Sequence, residues 1–285
     1  MKKDSILNLQ KINSVIDINF DELNKLNMPF LPEINYIFHK FFDKPNLQFS
    51  DYDTSTASWE FPECYKLRYY LYYILCKNII KDATILDLGS NLSFFSVWAA
   101  QIGAKEITSI EPNMRRSTLG KELASICNLT DKITNHTMSI DSTLTTVDNE
   151  FITVDRHIPR KNINLDRVNV VFMLDVLYYL ENGIHVIRHV KEVIRPKYLF
   201  LESTVKDDIF ENGHFEVWKP KQTDESMMSY TSVTGLMPSR NAIDFFVKDQ
   251  GWKVKKYYDY QSFIGRGESP PRKAGRKSFY LLENT

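Results

Sequence analysis

The stretch ATILDLGSNLSFFSVWAAQIGAKEITSIEPN, residues 83–113, decides the fold of this chain. Its first residues are almost all apolar and predict a buried strand that ends at Asp87. A turn with Gly89 follows, then an apolar helix over residues 93–102 and a second strand that ends at Glu111. A strand, a glycine turn, a helix and a second strand ending in an acid are typical of the nucleotide-binding half of a doubly wound sheet. The sequence therefore predicts an α/β fold of the Rossmann-like, doubly wound kind.

The two acids and the missing glycines predict the ligand of this unit. A dinucleotide fingerprint has three glycines, because the backbone must approach a pyrophosphate closely. Here only Gly89 is present, and later fingerprint positions hold other residues such as Asn91. Asp87 suits an amino group and Glu111, 24 positions later, suits a ribose diol. S-adenosylmethionine (SAM) carries both groups without a pyrophosphate, and its predicted contacts in this unit are Asp87, Gly89, Ser90, Asn91, Glu111 and Pro112. The alternative is an ordinary strand–helix–strand crossover whose turn contains a glycine.

The composition of the 285-residue chain is that of a globular protein, with 43% hydrophobic and 25% charged residues. The formal net charge is zero, so there is no global electrostatic argument for a nucleic acid or an anionic membrane as partner. The three cysteines share no metal-ligand spacing and predict buried thiols in a reducing compartment. No signal-like apolar segment follows Met1, and the run 69–80 is too short to span a bilayer. We therefore expect a cytoplasmic protein without a membrane span; the oligomeric state stays open.

Two parts are expected along the chain. Residues 1–80 predict a helical N-terminal extension or lid, with helices over 34–42 and 65–77. The second of these helices carries five tyrosines, which either line a substrate pocket or pack on the sheet with their hydroxyls outward. Residues 81–285 predict the catalytic domain, with insertions at 142–165, interpreted as a β-hairpin, and at 206–240.

The remaining strands of the sheet follow from their apolar runs. A third strand over 132–140 leads into Ile140 and Asp141, which are expected to flank an adenine; alternatively, Asp141 caps a helix. The fourth strand ends at Leu174, and the residues after it are expected where the methyl group would emerge. A fifth strand covers 197–203 and has Glu202 near its end. The last predicted elements are a helix over 241–249 with Ser239 as N-cap and two antiparallel strands over 254–260 and 278–282.

Several runs of the chain resemble the family around the tRNA wobble-uridine carboxymethyltransferase, within the class I SAM-dependent methyltransferases. They are ILDLGSN (85–91), SID (139–141), VVFMLDVLYYL (170–180), LFLEST (199–204) and LMPSRNAIDFFVKDQGW (236–252). The resemblance implies a seven-stranded methyltransferase sheet. It also implies that Tyr178 and Glu202 line the transfer site, and that the cofactor residues are Asp87, Gly89, Asn91, Glu111, Ile140, Asp141 and Leu174.

Departures from that family favour plain methyl transfer. Ser232 stands where the carboxymethyl enzymes have an arginine for the extra carboxylate of their cofactor, and Tyr179 replaces a histidine. A dianionic cofactor would then carry a buried, uncompensated charge. The one basic cluster, residues 266–276, is interpreted as a solvated loop, so RNA is not the favoured acceptor.

The predicted activity is methyl transfer from SAM to an oxygen or nitrogen of a small molecule, sugar or lipid intermediate. The alternatives are a tRNA-modifying (carboxy)methyltransferase and a non-catalytic SAM-fold binding subunit. A hydroxyl or amine acceptor must lose a proton, and the candidate catalytic residues are Asp175, Tyr178, Glu202 and His214. No metal is expected, because His185 and His189 lack a third ligand and are interpreted as helix surface.

Overall fold

The computed structural model describes residues 20–42, 45–52, 63–138, 140, 145–147, 150–152, 165, 167–180, 183–206, 209–211, 213–218, 235–264 and 272–285. The strands are β1 (Thr84–Leu88), β2 (Glu106–Ile110), β3 (Ile133–His136), β4 (Thr145–Val147), β5 (Glu150–Ile152), β6 (Val170–Leu174), β7 (Tyr198–Val205), β8 (Phe215–Trp218), β9 (Gly235–Pro238), β10 (Trp252–Ile264) and β11 (Arg272–Asn284). The helices are α1 (Phe20–Lys25), α2 (Leu31–Phe42), α3 (Glu63–Tyr69), α4 (Lys77–Ile80), α5 (Phe94–Ile102), α6 (Met114–Ile126), α7 (Gly183–His189) and α8 (Arg240–Asp249). Turns of π-helix, Tyr70–Ile74 and Val190–Ile194, continue α3 and α7, and short 3₁₀ turns cover Phe49–Asp51 and Leu177–Tyr179.

Seven strands form one mixed sheet in the order β10-β11-β7-β6-β1-β2-β3. The five strands from β7 to β3 run parallel, and β11 inserts antiparallel between β7 and β10. The predicted doubly wound, seven-stranded sheet with an antiparallel closing pair is confirmed. In a parallel sheet the carboxyl ends of the strands share one edge, so β1, β2, β6 and β7 present their ends together.

Local sequence explains most of these elements. All five residues of β6 are buried, which is why its apolar run predicts a central strand. Asn113 caps α6 by accepting from the Arg116 N–H at 3.1 Å, and Ser239 caps α8 by accepting from the Ala242 N–H at 3.3 Å. The predicted Ser239 cap is confirmed.

The helices of residues 20–80 share a hydrophobic core with one face of the sheet. Ile34 and Ile37 of α2 belong to the same buried cluster as Trp98 of α5 and Phe200 of β7. The Trp98 indole N–H donates to the Pro29 carbonyl at 3.0 Å. Within the described ranges, no helix combines the length and apolarity that crossing a membrane requires.

The tyrosine-rich helix packs on the sheet, but its hydroxyls do not all point outward. Tyr72 lies 4.7 Å from Phe279 between ring centroids and has no exposed surface. The Tyr73 hydroxyl donates to the Phe95 carbonyl. The prediction of outward hydroxyls is wrong for these two residues, because the helix continues as a π-helical turn that directs both rings into the core.

Several predicted boundaries differ from the structure. β3 ends at His136, so Ile140 lies beyond it rather than inside a strand over 132–140. β7 continues to Val205, which places Glu202 inside the strand and not near its end. Two hairpins, β4–β5 and β8–β9, lie in the predicted insertions, and the antiparallel pairing of β4 with β5 fits the predicted β-hairpin. Cys76 and Cys127 are buried free thiols, as predicted.

Candidate functional site

The turn after β1 is held against the end of β2. The N–H groups of Gly89 and Ser90 both donate to the Ile110 carbonyl, at 2.9 and 3.0 Å. Gly89 has φ +76°, and a Cβ there would lie 2.6 Å from Cγ2 of Val176, which follows β6. The glycine therefore allows β6 and the turn to approach each other closely. Asn91 also adopts a left-handed conformation, with φ 53°.

Asp87 lies buried at the carboxyl end of β1. Its side chain accepts from the Ser96 hydroxyl at 2.6 Å, and the Ser96 and Ser109 hydroxyls lie 2.7 Å apart. Among the described residues no ion pair involves this carboxylate. Burial, helped by the nearby charge of Glu111 and opposed by the Ser96 hydrogen bond, raises the pKa of Asp87 to about 7. The carboxyl lacks a countercharge that a bound ammonium would supply.

Glu111 follows β2 and faces the same turn. Its two oxygens accept from the backbone N–H groups of Asn91 and Asn113, each at 2.9 Å. Only 5% of its surface is exposed, and burial raises the pKa of its carboxyl. Each carboxylate oxygen has a second lone pair, so both have capacity to accept from a pair of hydroxyl groups.

The other predicted cofactor residues lie around this turn or near the ends of the neighbouring strands. The Ser90 hydroxyl oxygen is buried and has no hydrogen-bond partner among the described residues. Pro112 is half-buried, whereas Ile140 and Leu174 are buried, with exposures of 3% and 8%. Asp141 lies outside the described residues. A polar oxygen buried without a partner beside a glycine turn fits a ligand-binding position, because such burial is unfavourable unless a partner is present.

Beyond β6 lies a cluster of four charged side chains, which we call the charge cluster: Arg68, Asp175, Glu202 and Lys277. Arg68 of α3 donates to Glu202 and, at 3.0 Å, to Asp175. Lys277 of β11 donates to Asp175 and lies 3.9 Å from Glu202. Thr204 donates to the other Asp175 oxygen at 3.1 Å. The cluster joins α3, the end of β6, β7 and β11.

The two predicted carboxylic bases, Asp175 and Glu202, thus lie together in ion pairs. Desolvation by burial raises the pKa of Asp175, but the combined charges and hydrogen bonds of Lys277 and Arg68 outweigh it and hold this pKa well below its usual range. The Glu202 side chain has no exposed surface, so a substrate cannot touch it in this conformation.

Tyr178 lies beside Asp175, and His214 lies on a different element. The rings of Tyr178 and Tyr179 are 4.2 Å apart, and burial with the nearby charge of Asp175 raises both phenol pKa values. His214 precedes β8, where its backbone N–H donates to the Ser239 hydroxyl and its ring lies 3.8 Å from Glu216. The roles of these residues as bases remain predictions.

Arg68, Thr204 and Lys277 are site residues that sequence reasoning missed. Arg68 lies 134 positions from Glu202 along the chain, and Lys277 lies 102 positions from Asp175. Arg68 gave a signal, as a basic residue among tyrosines, whereas Lys277 directly follows the basic run 272–276 and gave none. An amphipathic reading assigns such residues to the surface, and only the tertiary fold brings them together.

An apolar cavity of about 40 Å³ lies behind the Leu177–Tyr179 turn, between Leu177, Ile187, Phe215 and Ile243. Its lining side chains are apolar, so the polar groups around the Gly89 turn are the better candidate for binding a cofactor with an amino group and a ribose diol.

Comparison with known proteins finds similar solved structures but no relatives by sequence. The chain matches no protein-family model and no curated protein. A SAM-dependent methyltransferase described as putative, from Listeria monocytogenes, is 11% identical, with a TM-score of 0.49 over 75% of this chain and 97% of that chain. Magnesium protoporphyrin IX methyltransferase from Synechocystis PCC 6803, with bound S-adenosylhomocysteine (SAH), is 11% identical, with a TM-score of 0.49 over 92% and 96%. An RNA methyltransferase described as putative, from Pyrococcus horikoshii, is 13% identical, with a TM-score of 0.47 over 89% and 98%.

Proposed function

We propose that the chain is a SAM-dependent methyltransferase. The observation that carries this proposal is the pair of buried acids, Asp87 and Glu111, at the ends of the adjacent strands β1 and β2 on either side of the glycine turn. Asp87 lacks a cation among the described residues, and Glu111 has unused lone pairs. An ammonium and a ribose diol on one ligand satisfy both.

The residues around the turn fit this cofactor. Asp87 would hold the amino group of the methionyl part, Glu111 the ribose hydroxyls, and the unpartnered Ser90 hydroxyl a further polar group. Ile140 and Leu174 supply apolar surface, and Asp141 remains the proposed adenine contact. The sulfonium of SAM supplies both the methyl group and a good leaving group. The task of the protein is therefore to align the acceptor with that methyl group.

We propose that the methyl acceptor is a small molecule, a sugar or a lipid intermediate, and that the protein acts in the cytoplasm. Support comes from the zero net charge of the sequence and from the charge cluster, whose two cations are paired with two carboxylates rather than left for phosphates. A tRNA-modifying enzyme of the wobble-uridine family and a non-catalytic binding subunit are the competing functions. RNA binding with a steep dependence on salt would favour the first.

Calorimetry with the full chain tests the cofactor. We expect SAM and SAH to bind and NAD not to bind. Asp87→Asn and Glu111→Gln should each weaken SAH at least tenfold, since each removes a charge-assisted contact of about 1.5–3 kcal/mol. Asp131→Asn, at an exposed position outside the site, is the matched control. Absence of SAM and SAH binding to the folded wild-type chain would refute the proposed function.

Mass spectrometry of ligand retained by the purified protein separates the finer alternatives. Retained SAM or SAH supports methyl transfer, whereas retained carboxy-SAM supports the carboxymethyl family despite Ser232. Turnover in cell extract with methyl-labelled SAM separates an enzyme from a binding subunit, because only an enzyme transfers the label to an acceptor.

A further inference from the structure

The four side chains of the charge cluster differ in their exposed fraction, and one of them is accessible to a ligand. The Glu202 side chain is 0% exposed, Arg68 is 7% exposed and Lys277 is 8% exposed, whereas Asp175 is 23% exposed. Asp175 follows β6 directly and has φ 62°, so the chain turns there and the carboxylate stays at the strand end. Of the four charges, the most exposed one is therefore negative.

The surroundings of Asp175 keep that carboxylate ionised. Arg68 approaches from α3, Lys277 from β11 and the Thr204 hydroxyl from β7, and all three donate to it. The Tyr178 and Tyr179 phenols lie on the turn beside it, and burial raises the pKa of each. None of these groups is suited to accept a proton from a substrate near neutral pH.

We propose that Asp175 receives a nitrogen of the methyl acceptor as a fixed negative charge, and that transfer proceeds without a general base at the charge cluster. Arg68 and Lys277 are then positioning residues that hold Asp175 in place. This inference rests on the proposed function and narrows its acceptor from oxygen or nitrogen to a nitrogen that is already neutral near pH 7, such as that of an aromatic amine.

The chemistry balances without a protein base. The acceptor nitrogen uses its lone pair to form the bond to the methyl carbon while the carbon–sulfur bond breaks, and the electrons of that bond stay on sulfur. The nitrogen gains the positive charge that the sulfur loses, and an N–H proton then passes to water. A carboxylate beside the nitrogen stabilises this developing charge in a site with little water.

Sinefungin is a suitable probe, because it carries an ammonium group where SAM carries the methylsulfonium and SAH carries a neutral thioether. Calorimetry on the full chain compares sinefungin with SAH. We expect the wild type to bind sinefungin about tenfold more tightly, since opposite charges at short range in a partly buried site attract. In Asp175→Asn the ratio should fall to about twofold or less, and in Lys277→Met it should stay or rise, because the carboxylate loses one of its cations.

The controls separate local charge from damage to the fold. Asparagine tolerates a left-handed φ, and Asp175→Asn/Lys277→Met keeps the cluster electrically neutral, so it reports the same loss if the single variant is poorly folded. Asp244→Asn changes another buried aspartate, which accepts from the Tyr280 hydroxyl at 2.9 Å, and should leave the ratio unchanged. An unchanged ratio in folded Asp175→Asn, with SAH still bound, overturns this inference and leaves the methyltransferase proposal standing. Loss of SAH binding by the wild type would overturn the proposed function itself.

Discussion

At the scale of single residues, the burial of Asp87 predicts how the free energy of unfolding depends on pH. Burial raises its pKa from 3.8 to about 7, so between these values the folded protein binds more protons than the unfolded chain. The free energy of unfolding should therefore fall as pH rises through this window, by up to about 4 kcal/mol. Asp87→Asn cannot titrate and should remove this slope. Urea denaturation at several pH values measures it, with Asp131→Asn as control; equal slopes in Asp87→Asn and the wild type would contradict the prediction.

Alanine substitutions at Gly89 and Gly103 test the close approach between the turn after β1 and Val176. Both have positive φ, +76° and +114°, so alanine at either position is strained by about 1–2 kcal/mol. A Cβ at Gly89 would also lie 2.6 Å from Val176, whereas at Gly103 the nearest atom is 3.6 Å away on a flexible lysine. We expect Gly89→Ala to cost about 1–3 kcal/mol more than Gly103→Ala in urea denaturation. Only Gly89→Ala should weaken SAH binding, and equal losses of stability would show that the contact with Val176 is unimportant.

Residue-scale prediction from sequence succeeds where chemistry is local. Asp87, Gly89 and Glu111 lie within one strand–turn–helix–strand unit, so their spacing alone places them near each other. Arg68 and Lys277 instead contact Asp175 only because α3 and β11 both pass close to the carboxyl end of β6. No local pattern encodes such a meeting, and the sequence therefore predicts Asp175 as a base where the structure surrounds it with cations.

At the scale of elements, the two N-caps test which helix start supports the site. Asn113→Ala and Ser239→Ala each remove a cap and should each cost about 1 kcal/mol of stability. The Asn113 N–H also donates to Glu111 at 2.9 Å, so a loosened start of α6 should weaken SAH binding several-fold. Ser239 caps α8 on another part of the sheet, and its variant should bind SAH normally. Equal SAH affinities in both variants would contradict this assignment.

Element-scale prediction follows the strength of the apolar signal. The fully buried β6 and the helix α8 with its Ser239 cap lie close to where the sequence places them. The end of β7 differs because Glu202, a charged residue, predicts the end of a strand. In the structure it stays inside the strand, since Arg68 neutralises it from the helix packed above. A buried ion pair thus allows a charged residue inside a strand, which a hydropathy pattern does not predict.

At the scale of the whole molecule, residues 20–80 and the sheet depend on each other. Their apolar side chains form a single buried cluster from Met28 to Leu281. Among the described residues, Arg68 and Lys40 also form ion pairs across these parts. Arg68 pairs with the fully buried Glu202, and Lys40 pairs with Glu122 of α6 at 2.7 Å, where 14% and 29% of the side chains are exposed. The predicted role of residues 1–80 as a lid is not tested by this packing, but the described helices are part of the core.

These two ion pairs give a prediction for how the N-terminal helices are held. Arg68→Met leaves Glu202 buried with Lys277 as its only described cation, 3.9 Å away, and should destabilise the protein by about 3–5 kcal/mol. In Arg68→Met/Glu202→Gln the buried negative charge is gone, so the loss should be smaller than the sum of the single losses. The more exposed Lys40–Glu122 pair should show a coupling of only about 1 kcal/mol in the same double-mutant cycle. Urea denaturation of both sets measures the couplings. Equal couplings, or strict additivity at Arg68 and Glu202, would mean that the charge cluster does not hold the N-terminal helices to the sheet.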